Sequence, residues 1–530
     1  MTEVLVVGAG PTGLALAAHL VAHGVRPRIV DRASDRVHES RALAIQPRTL
    51  ELLAPLGVTD ELVALGNPGV ELRVHARGRE RVLPLFDLGL EDTAYPYLLF
   101  LSQAETERVL GDWLVQQGVP VEREITLTEL RSGADGVSVV LRGPDGRDEA
   151  VSARFVVGCD GGRSAVRDAA GIAFEGSSYP QAFLLADLEA DDIKAGAAHV
   201  FLSRAGMLFY FPLMRPASWR LLAMEDPSRP PAEGTAVGLG ELQAVSDTYT
   251  GGGVRLHDAV WTTRFRLHHR VATRYRSENV FLAGDAAHVH SPAGAQGMNT
   301  GIQDAANLAW KLAQVINGKS GNTLLDTYDV ERRPIGQTVL RFTDRAFRVA
   351  TSTNPFVGFL RTRVAPRAMA LVMRSRTGRS FGFRAVAQLD IRYRRSPLSV
   401  DGPGAKGRAV RAGDRLPDVA LDADGRTTRL YERIDGRAWN LLLCGPRSAW
   451  PDVPSVPGVT IHRVSVDTGP GVLTDHNGTA LRRLGLSVRD VVQLLIRPDG
   501  HVGYRGGGQD LTALHTYLRR WVGVEDRGNP

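Results

Sequence analysis

The sequence predicts an α/β chain assembled from three regions. Three observations carry that prediction. Val4–Val7 is a continuous apolar run, the pattern of a strand buried on both faces. It leads into Gly8-Ala9-Gly10-Pro11-Thr12-Gly13 and then an apolar helical pattern at Leu14, Leu16, Ala17, Leu20 and Val21. A strand-rich block at 174–270 lies between segments that alternate strand and helix. Residues 396–413 are rich in Gly, Pro and Ser and set off a final segment with its own strands and helix.

Each element has a local reason. Gly24 closes the first helix, and Arg28-Ile29-Val30 starts a second strand that ends at Asp31, giving a strand–helix–strand unit of about 30 residues. Thr49–Leu65 has a helical pattern. Val70–Val74, His199–Leu202, Met207–Leu213 and Arg220–Met224 read as short strands. Residues 279–284 form another buried strand, followed by a helix from near Gly297 through Ala305, Leu308, Ala309 and Leu312, and 323–350 is helical. Near the end, Trp439–Cys444 and Val491–Ile496 are strands, Asp499-Gly500 is a hairpin turn and Leu511–Val522 an amphipathic helix. The expected division is a discontinuous first domain, 1–173 and 271–395, with a helical segment at 323–395. A β-rich domain at 174–270 takes in part of 70–100. A linker at 396–413 leads to a small α/β domain at 414–524.

Bulk properties exclude several function classes. Apolar residues make up 43% of the 530 and charged residues 23%, the balance of an ordinary folded protein. The net charge of +6 is thinly spread, and Arg392, Arg394 and Arg395 have only Tyr393 between them, so no nucleic-acid partner is expected. The two cysteines, Cys159 and Cys444, form neither a CxxC pair nor a metal cluster, so no disulfide framework and no metal are expected. A strand that starts by Val4 leaves no room for a signal peptide, and a reducing, cytoplasmic location is expected. No apolar run reaches the ~20 residues of a bilayer span. Thr351–Arg376, apolar with arginines, comes nearest and is interrupted by Pro355 and Pro366, so no membrane partner is expected.

The glycine motif carries the first chemistry. Gly8 permits the tight turn, Gly10 lets backbone approach a pyrophosphate, and Gly13 allows close helix–strand packing. Phosphate oxygens then meet the N-terminus of the helix that begins at Pro11-Thr12. Asp31, at the end of the second strand, is placed to accept ribose hydroxyls. This unit binds a dinucleotide but does not separate NAD from FAD. Gly284-Asp285 ends a second buried strand, where a carboxylate suits the neutral ribityl polyol of FAD and would repel a phosphate. Gly294 and Gly297 allow backbone close to a flat ring, and the following helix points its positive end at the flavin pyrimidine.

Phe-Val-Val-Gly-Cys-Asp-Gly-Gly-Arg-Ser-Ala-Val-Arg at 155–167 and Asn-Val-Phe-Leu-Ala-Gly-Asp at 279–285, running on to Gly297-Met298-Asn299, complete the pattern. With these motifs the chain resembles the class A flavoprotein aromatic hydroxylases: para-hydroxybenzoate hydroxylase, phenol hydroxylase and, above all, the aromatic-polyketide hydroxylases of actinomycete antibiotic pathways. The resemblance implies a Rossmann-like FAD-binding domain of glutathione-reductase type, an inserted β-sheet substrate domain and a C-terminal thioredoxin-like domain without CxxC. It implies non-covalent FAD, NADPH or NADH as co-substrate, O₂, and hydroxylation of a polycyclic aromatic through a flavin C4a-hydroperoxide. By the same resemblance Met298 and Asn299 contact the flavin through backbone N–H groups. Asp160-Gly161 touch FAD and the nicotinamide nucleotide. Arg41 and Gln103 lie near the pyrophosphate and ribityl chain, Arg32 near the adenine, and Arg108 on the adenosine side. Arg163 and Arg167 are candidate phosphate partners, and Pro292 borders the reaction site. Met207, Phe209 and Phe211 alternate onto one strand face as candidate substrate contacts.

His288 and His290 invite a catalytic role, but both flank a tight turn and satisfy backbone groups locally. No catalytic residue is assigned beyond the candidates Arg48 and Pro292. Two alternatives stay open. One is a Baeyer–Villiger or epoxidising monooxygenase on the same scaffold, with Arg48 stabilising a peroxide anion. The other is a non-catalytic binding protein, which the intact glycines and Asp285 oppose. A monomer or homodimer is expected.

Overall fold

The computed structural model describes the chain except for residues 37–41, 77, 85–88, 134, 204–205, 214–216, 226–236, 291–294, 352–353, 373–374, 376–377, 379, 381–382, 385, 406, 408, 452–454, 457 and 524–530. Three large sheets, beside a two-stranded pairing of Ala44–Ile45 with Leu99–Phe100, organise the described residues. In the first, strands Arg276–Ser277, Val280–Leu282, Asp148–Gly158, Thr2–Val7 and Arg28–Val30 lie side by side, and the hairpin Thr126–Gly133/Gly136–Arg142 adds to Asp148–Gly158. The central pairs are parallel, with Val6 opposite both Ile29 and Val157, and Phe281 also opposite Val157. Val4, Leu5 and Val6 are fully buried, which is why this stretch is unbroken by polar residues. Helices Pro11–Ala22 and Gly297–Ile316 pack together over this sheet, so their N-termini start at neighbouring strand ends.

The second sheet has eight strands in the order His288–Val289, Arg255–Ala272, Phe174–Asp191, Trp219–Met224, Met207–Pro212, Ala197–Leu202, Glu71–Ala76 and Arg79–Pro84. It corrects the expectation of short strands throughout 174–270. Phe174–Asp191 and Arg255–Ala272 are 18 residues each, and register shifts at Ser178/Ala182 and Asp187/Glu189 bend the pair. A helix at Leu239–Thr250 was not expected. Its apolar row is sparse, and Leu242 and Ser246 are its buried positions, with Ser246 Oγ 2.6 Å from the Tyr210 hydroxyl. Thr49–Leu65 is likewise not one helix: Gly57, at φ +76°, separates Pro47–Leu53 and a short 3₁₀ turn from Thr59–Leu65.

The third sheet, also eight-stranded, forms the C-terminal region around Trp439–Cys444, which pairs parallel with Val459–Ser465 and antiparallel with Val492–Ile496. Here the linker expected at 396–413 is corrected. Val400–Asp401 is an edge strand of this sheet, Leu398 is fully buried, and Tyr517 Oη donates to the Leu398 carbonyl at 2.8 Å. The glycines misled because they serve close packing. A side chain at Gly402 would overlap the Tyr504 ring, and one at Gly404 would press on the Gly507 backbone.

The C-terminal region docks through a buried polar cluster. Glu331 accepts hydrogen bonds from Arg497 (2.6 and 2.9 Å), Lys311 (2.7 Å), Asn307 (2.8 Å) and Ser396 (2.6 Å). Trp310 meets Trp439 edge to face at 5.5 Å. Arg415 binds Glu51 (2.8 Å) and Asp92 (3.0 Å), and Arg384 holds the other side of Asp92 (2.9 Å). Burial pushes the Asp92 carboxyl up, but the Arg384 hydrogen bond and the Arg415 and Arg384 charges outweigh it and bring it from 3.8 to about 2. In Glu331 burial is likewise overcome, by Arg497 and Lys311, and the group falls from 4.5 to about 2. Both folded-state values lie below the unfolded ones, so the stabilisation is full above about pH 4.5 and disappears as the pH drops toward 2. Trp310 and Trp439 emission is therefore expected to change in that window. A signal flat down to pH 2 would show that these carboxylates do not hold the domains together.

Candidate active site

The first sheet and the two helices above it shape a groove of about 400 Å³. It runs from Asp31, Arg32 and Ala33 past Gly8, Gly10 and Thr12 to Asp285, Gly297 and Met298. Its floor follows from the glycines. Gly8 has φ +102°, and a side chain there would collide with the Cys159 carbonyl. A side chain at Gly13 would overlap the Gly8 carbonyl, so Gly13 sets the close helix–strand contact. Gly10 is different: nothing lies within 4 Å of where its Cβ would stand, and the space above it is groove. No side chain caps the helix that begins after Gly10, and none caps the one that begins after Gln296. Two positive helix ends therefore meet one groove.

Thr12 locks these parts together. Side chains at Gly284 (φ +61°) or Gly301 would each run into Thr12 Oγ1. Asp31 Oδ2 accepts from Ala9 N (2.6 Å) and Oδ1 from Ala33 N (2.8 Å), which fixes the carboxylate at the groove's end. Asp160 accepts from Ser164 Oγ (2.5 Å) and Val166 N (3.2 Å), while burial pushes its carboxyl up. Gln103 Nε2 donates to Glu107 at 2.8 Å. Asp285 is exposed on the 3₁₀ turn Gly284–Ala286. Arg163, Gly161 and Pro11 also line the groove. The sequence reading did not anticipate Ile125, Thr126 and Leu127, which form one wall. Thr126 and Leu127 open the strand Thr126–Gly133, and nothing in their sequence marks a ligand.

Several candidates sit elsewhere. Arg48 is corrected: it is buried, donates to Glu51 Oε2 (2.9 Å) and the Asp499 carbonyl, and belongs to the interface with the C-terminal region. Arg167 is corrected too. It is buried, bonded to the Gly162 and Ala286 carbonyls, and lies 4.0 Å from the Phe174 ring centre. Arg108 pairs with Glu105, Asp112 and Glu61 away from the groove. The Asn299 side chain ties Ala44 O, Ala295 O and Gln46 N at 2.9 Å each, leaving only its main chain for the groove end. His288 Nε2 lies 2.7 Å from Asp304, itself bound by Arg332, in a fully buried structural pair. Arg41, Pro292 and Gly294 lie outside the described residues.

On the second sheet, Met207, Phe209 and Phe211 are half-buried on one face, while Leu208 and Tyr210 are buried on the other. Phe209 and Phe211 stack at 5.4 Å, and Phe211 lies 6.4 Å from Phe100, whose strand pairs with Ala44–Ile45 beside Asn299. The aromatic face thus turns toward the groove-bearing domain. Arg220, opposite Phe211, shares this face and is bound twice by Asp187 at 2.7 Å, with both residues buried. Arg220 also reaches the Ala42 carbonyl at 3.4 Å. Sequence reasoning missed this pair, although a charge inside each of two neighbouring apolar strands was the available signal.

An FAD fits the groove on chemical grounds. The open space above Gly10 admits a pyrophosphate, two uncapped helix ends favour its negative charge, and Asp31 and Asp285 offer acceptors to hydroxyls. Replacing Asp285 with alanine is expected to weaken FAD binding roughly 10- to 100-fold, the loss of one hydrogen bond to a charged group. Flavin fluorescence titration measures it, and an unchanged affinity would remove Asp285 from the site.

Residues 1–343 match the family model described as FAD binding domain, and 409–524 match that described as aromatic-ring hydroxylase, C-terminal. The 6-methylpretetramide 4-monooxygenase of Streptomyces rimosus is 36% identical, covering 98% of this chain and 93% of the relative. The rifampicin monooxygenase of Streptomyces venezuelae is 33% identical over the full length of both. Among solved structures, aklavinone-11 hydroxylase in a ternary complex with FAD and aklavinone superposes with a TM-score of 0.76 at 28% identity, covering 98% of this chain and 99% of the other.

Proposed function

The chain belongs to the family of FAD-binding aromatic-ring hydroxylases and is an FAD-dependent monooxygenase, and on that premise we propose that it hydroxylates a polycyclic aromatic of polyketide type. The observation that carries the substrate class is the face of Met207, Phe209 and Phe211, stacked and half-buried on the side turned toward the groove. Arg220 shares that face but is neutralised by Asp187, so it offers no clamp to the carboxylate of a simple benzoate. Relatives named for 6-methylpretetramide and aklavinone support the same class.

Bound FAD, reduced by NADPH or NADH, supplies the capacity to activate O₂ and pass one oxygen atom to an electron-rich ring. The protein's part is orientation, charge and exclusion of water. Phe209 and Phe211 hold a flat ring system by stacking, about 0.5–1.5 kcal/mol per aromatic pair. The N-terminal turn at Gly297-Met298, backed by a 20-residue helix, favours negative charge at the groove's inner end. Thr12, Gly284 and Gly301 keep the two helix ends in register. The first sheet and its helices correspond to a Rossmann-like domain, the second to the substrate domain, and the third to a thioredoxin-like domain whose Cys444, buried in a strand with no CxxC, does no thiol exchange. The nicotinamide nucleotide has no second glycine motif and binds transiently across the groove mouth, where Arg163 offers a phosphate partner. Placing Arg48 in the domain interface withdraws the one residue offered for Baeyer–Villiger oxidation.

The test is a panel of phenols of increasing ring number, scored for NADPH consumed, peroxide released and product mass. Tricyclic and tetracyclic phenols are expected to gain one oxygen with little peroxide, and one-ring phenols to uncouple. A hydroxybenzoate as the better-coupled substrate would overturn the polyketide reading and leave the monooxygenase standing.

A further inference from the structure

No Asp or Glu occurs between Asp344 and Asp390, while Arg345, Arg348, Arg361, Arg363, Arg367, Arg374, Arg376, Arg379 and Arg384 all fall within that stretch. Its centre is a helical run, Pro355–Phe359, a π-turn at Leu360–Val364 and Ala365–Val372. The run does not bury its large apolar residues. Phe356 is 68% exposed, Phe359 48%, Val364 45%, Leu371 67% and Val372 49%. Spacings of three, four and seven give Phe356, Phe359, Leu360, Val364 and Leu371 the periodicity of one helix side. Arg363 and Arg367 are exposed among them, with the Arg363 guanidinium 5.4 Å from the Phe359 ring centre. This is the inverse of a core helix. It is also too short and too charged to span: no described helix is long and apolar enough to cross a membrane.

We propose that the 355–372 helical run is a docking surface for an anionic lipid bilayer, lying in the headgroup plane with its aromatic and aliphatic side chains inserted. Charge complementarity selects this occupant. A second copy of the chain, paired face to face, would bring the same helical run, with exposed Arg363 and Arg367 and no acid of its own, against itself. An anionic bilayer pairs with the arginines and accepts the apolar side chains together. The exposed side chains stand out from a helical run, a shape suited to a yielding surface. Ala365–Val372 packs against strand Arg79–Pro84, the edge of the sheet whose inner strand carries Phe209 and Phe211. Docking there brings the substrate sheet to the bilayer, where an apolar polycycle concentrates. That supply role rests on the substrate class proposed above, whereas the docking itself does not. It departs from the expectation of no membrane partner.

The FAD-loaded enzyme is sedimented with vesicles of phosphatidylcholine alone or mixed with phosphatidylglycerol and followed by flavin absorbance. It is expected to pellet with the mixed vesicles only, and to be released by high salt. Arg363→Gln and Arg367→Gln should each lower partition about five-fold. The Phe356→Ser/Phe359→Ser pair should lower it about ten-fold or more at unchanged flavin content and melting temperature. Failure to pellet with either vesicle overturns the proposal, as does indifference of binding to both sets of variants. It is equally overturned by a dimer in light scattering that Phe356→Ser/Phe359→Ser splits, or by retention on an acidic protein without vesicle binding. Vesicle binding with no preference for polycyclic phenols would uphold docking and sink only the substrate reading.

Discussion

Glu331→Ala is expected to destabilise the protein by about 3–5 kcal/mol, the range for removing one partner of a buried ion pair. Glu331 is fully buried and answers two cations, Lys311 and Arg497, that have no access to water. Without it, Arg497 keeps Asp499, but Lys311 keeps no anionic hydrogen-bond partner, with Asn307 Oδ1 at 2.8 Å and the Trp310 ring centre at 5.7 Å around its ammonium. Burial already pulls the Lys311 ammonium from 10.5 down to about 8 with Glu331 present. In the variant the lysine must lose its proton, recruit water or break the docking of the C-terminal region. Denaturant melts followed at Trp310 and Trp439 should show a lower midpoint. Glu331→Gln should fall between, since it keeps the shape and loses the charge. A midpoint unchanged in Glu331→Ala would mean that apolar contacts alone seat the C-terminal region.

Gly10→Val is expected to abolish FAD retention and leave the fold intact. Its backbone, at φ −74° and ψ −175°, is ordinary for any residue, and nothing in the protein lies within 4 Å of the new Cβ. The valine would instead occupy the space assigned to the pyrophosphate, so FAD affinity should drop ~100-fold or more, about 2.7 kcal/mol. Gly13→Val makes the contrast. Its side chain would overlap the Gly8 carbonyl, so that variant should lose both fold and flavin. Circular dichroism and flavin content separate the two. Full FAD content in Gly10→Val would move the cofactor out of this groove.

What was legible in the sequence had a local cause. The strand at Val4–Val7, the glycine turn and Asp31 declare themselves because one short stretch must turn tightly, admit a ligand and end in a carboxylate. Trp439–Cys444, apolar except for Asn440, is a strand of those bounds, buried at every position. The aromatic alternation at 207–212 likewise reads directly as two faces. What escaped depended on distant partners. Arg48 looks like a free cation until Asp499, 451 positions away, supplies its carbonyl. Arg167 reads as a phosphate ligand until the Ala286 carbonyl and Phe174 ring are seen around it. The glycines at 402 and 404 signal a linker by composition, yet they are there because Tyr504 and Gly507 lie against them. The arginine–apolar stretch at 351–376 is unusual in the sequence, but only the exposure of Phe356, Phe359, Val364 and Leu371 shows that the apolar side of the 355–372 run faces outward.

The proposed reaction passes one atom of O₂ to an aromatic ring. Turnover of a tricyclic or tetracyclic phenol with NADPH under isotopically heavy O₂ tests it most directly, by product mass. One heavy oxygen per product molecule is expected, with one NADPH consumed for each. Product oxygen drawn from water, or NADPH consumed with only peroxide formed on every polycyclic phenol tried, would contradict it.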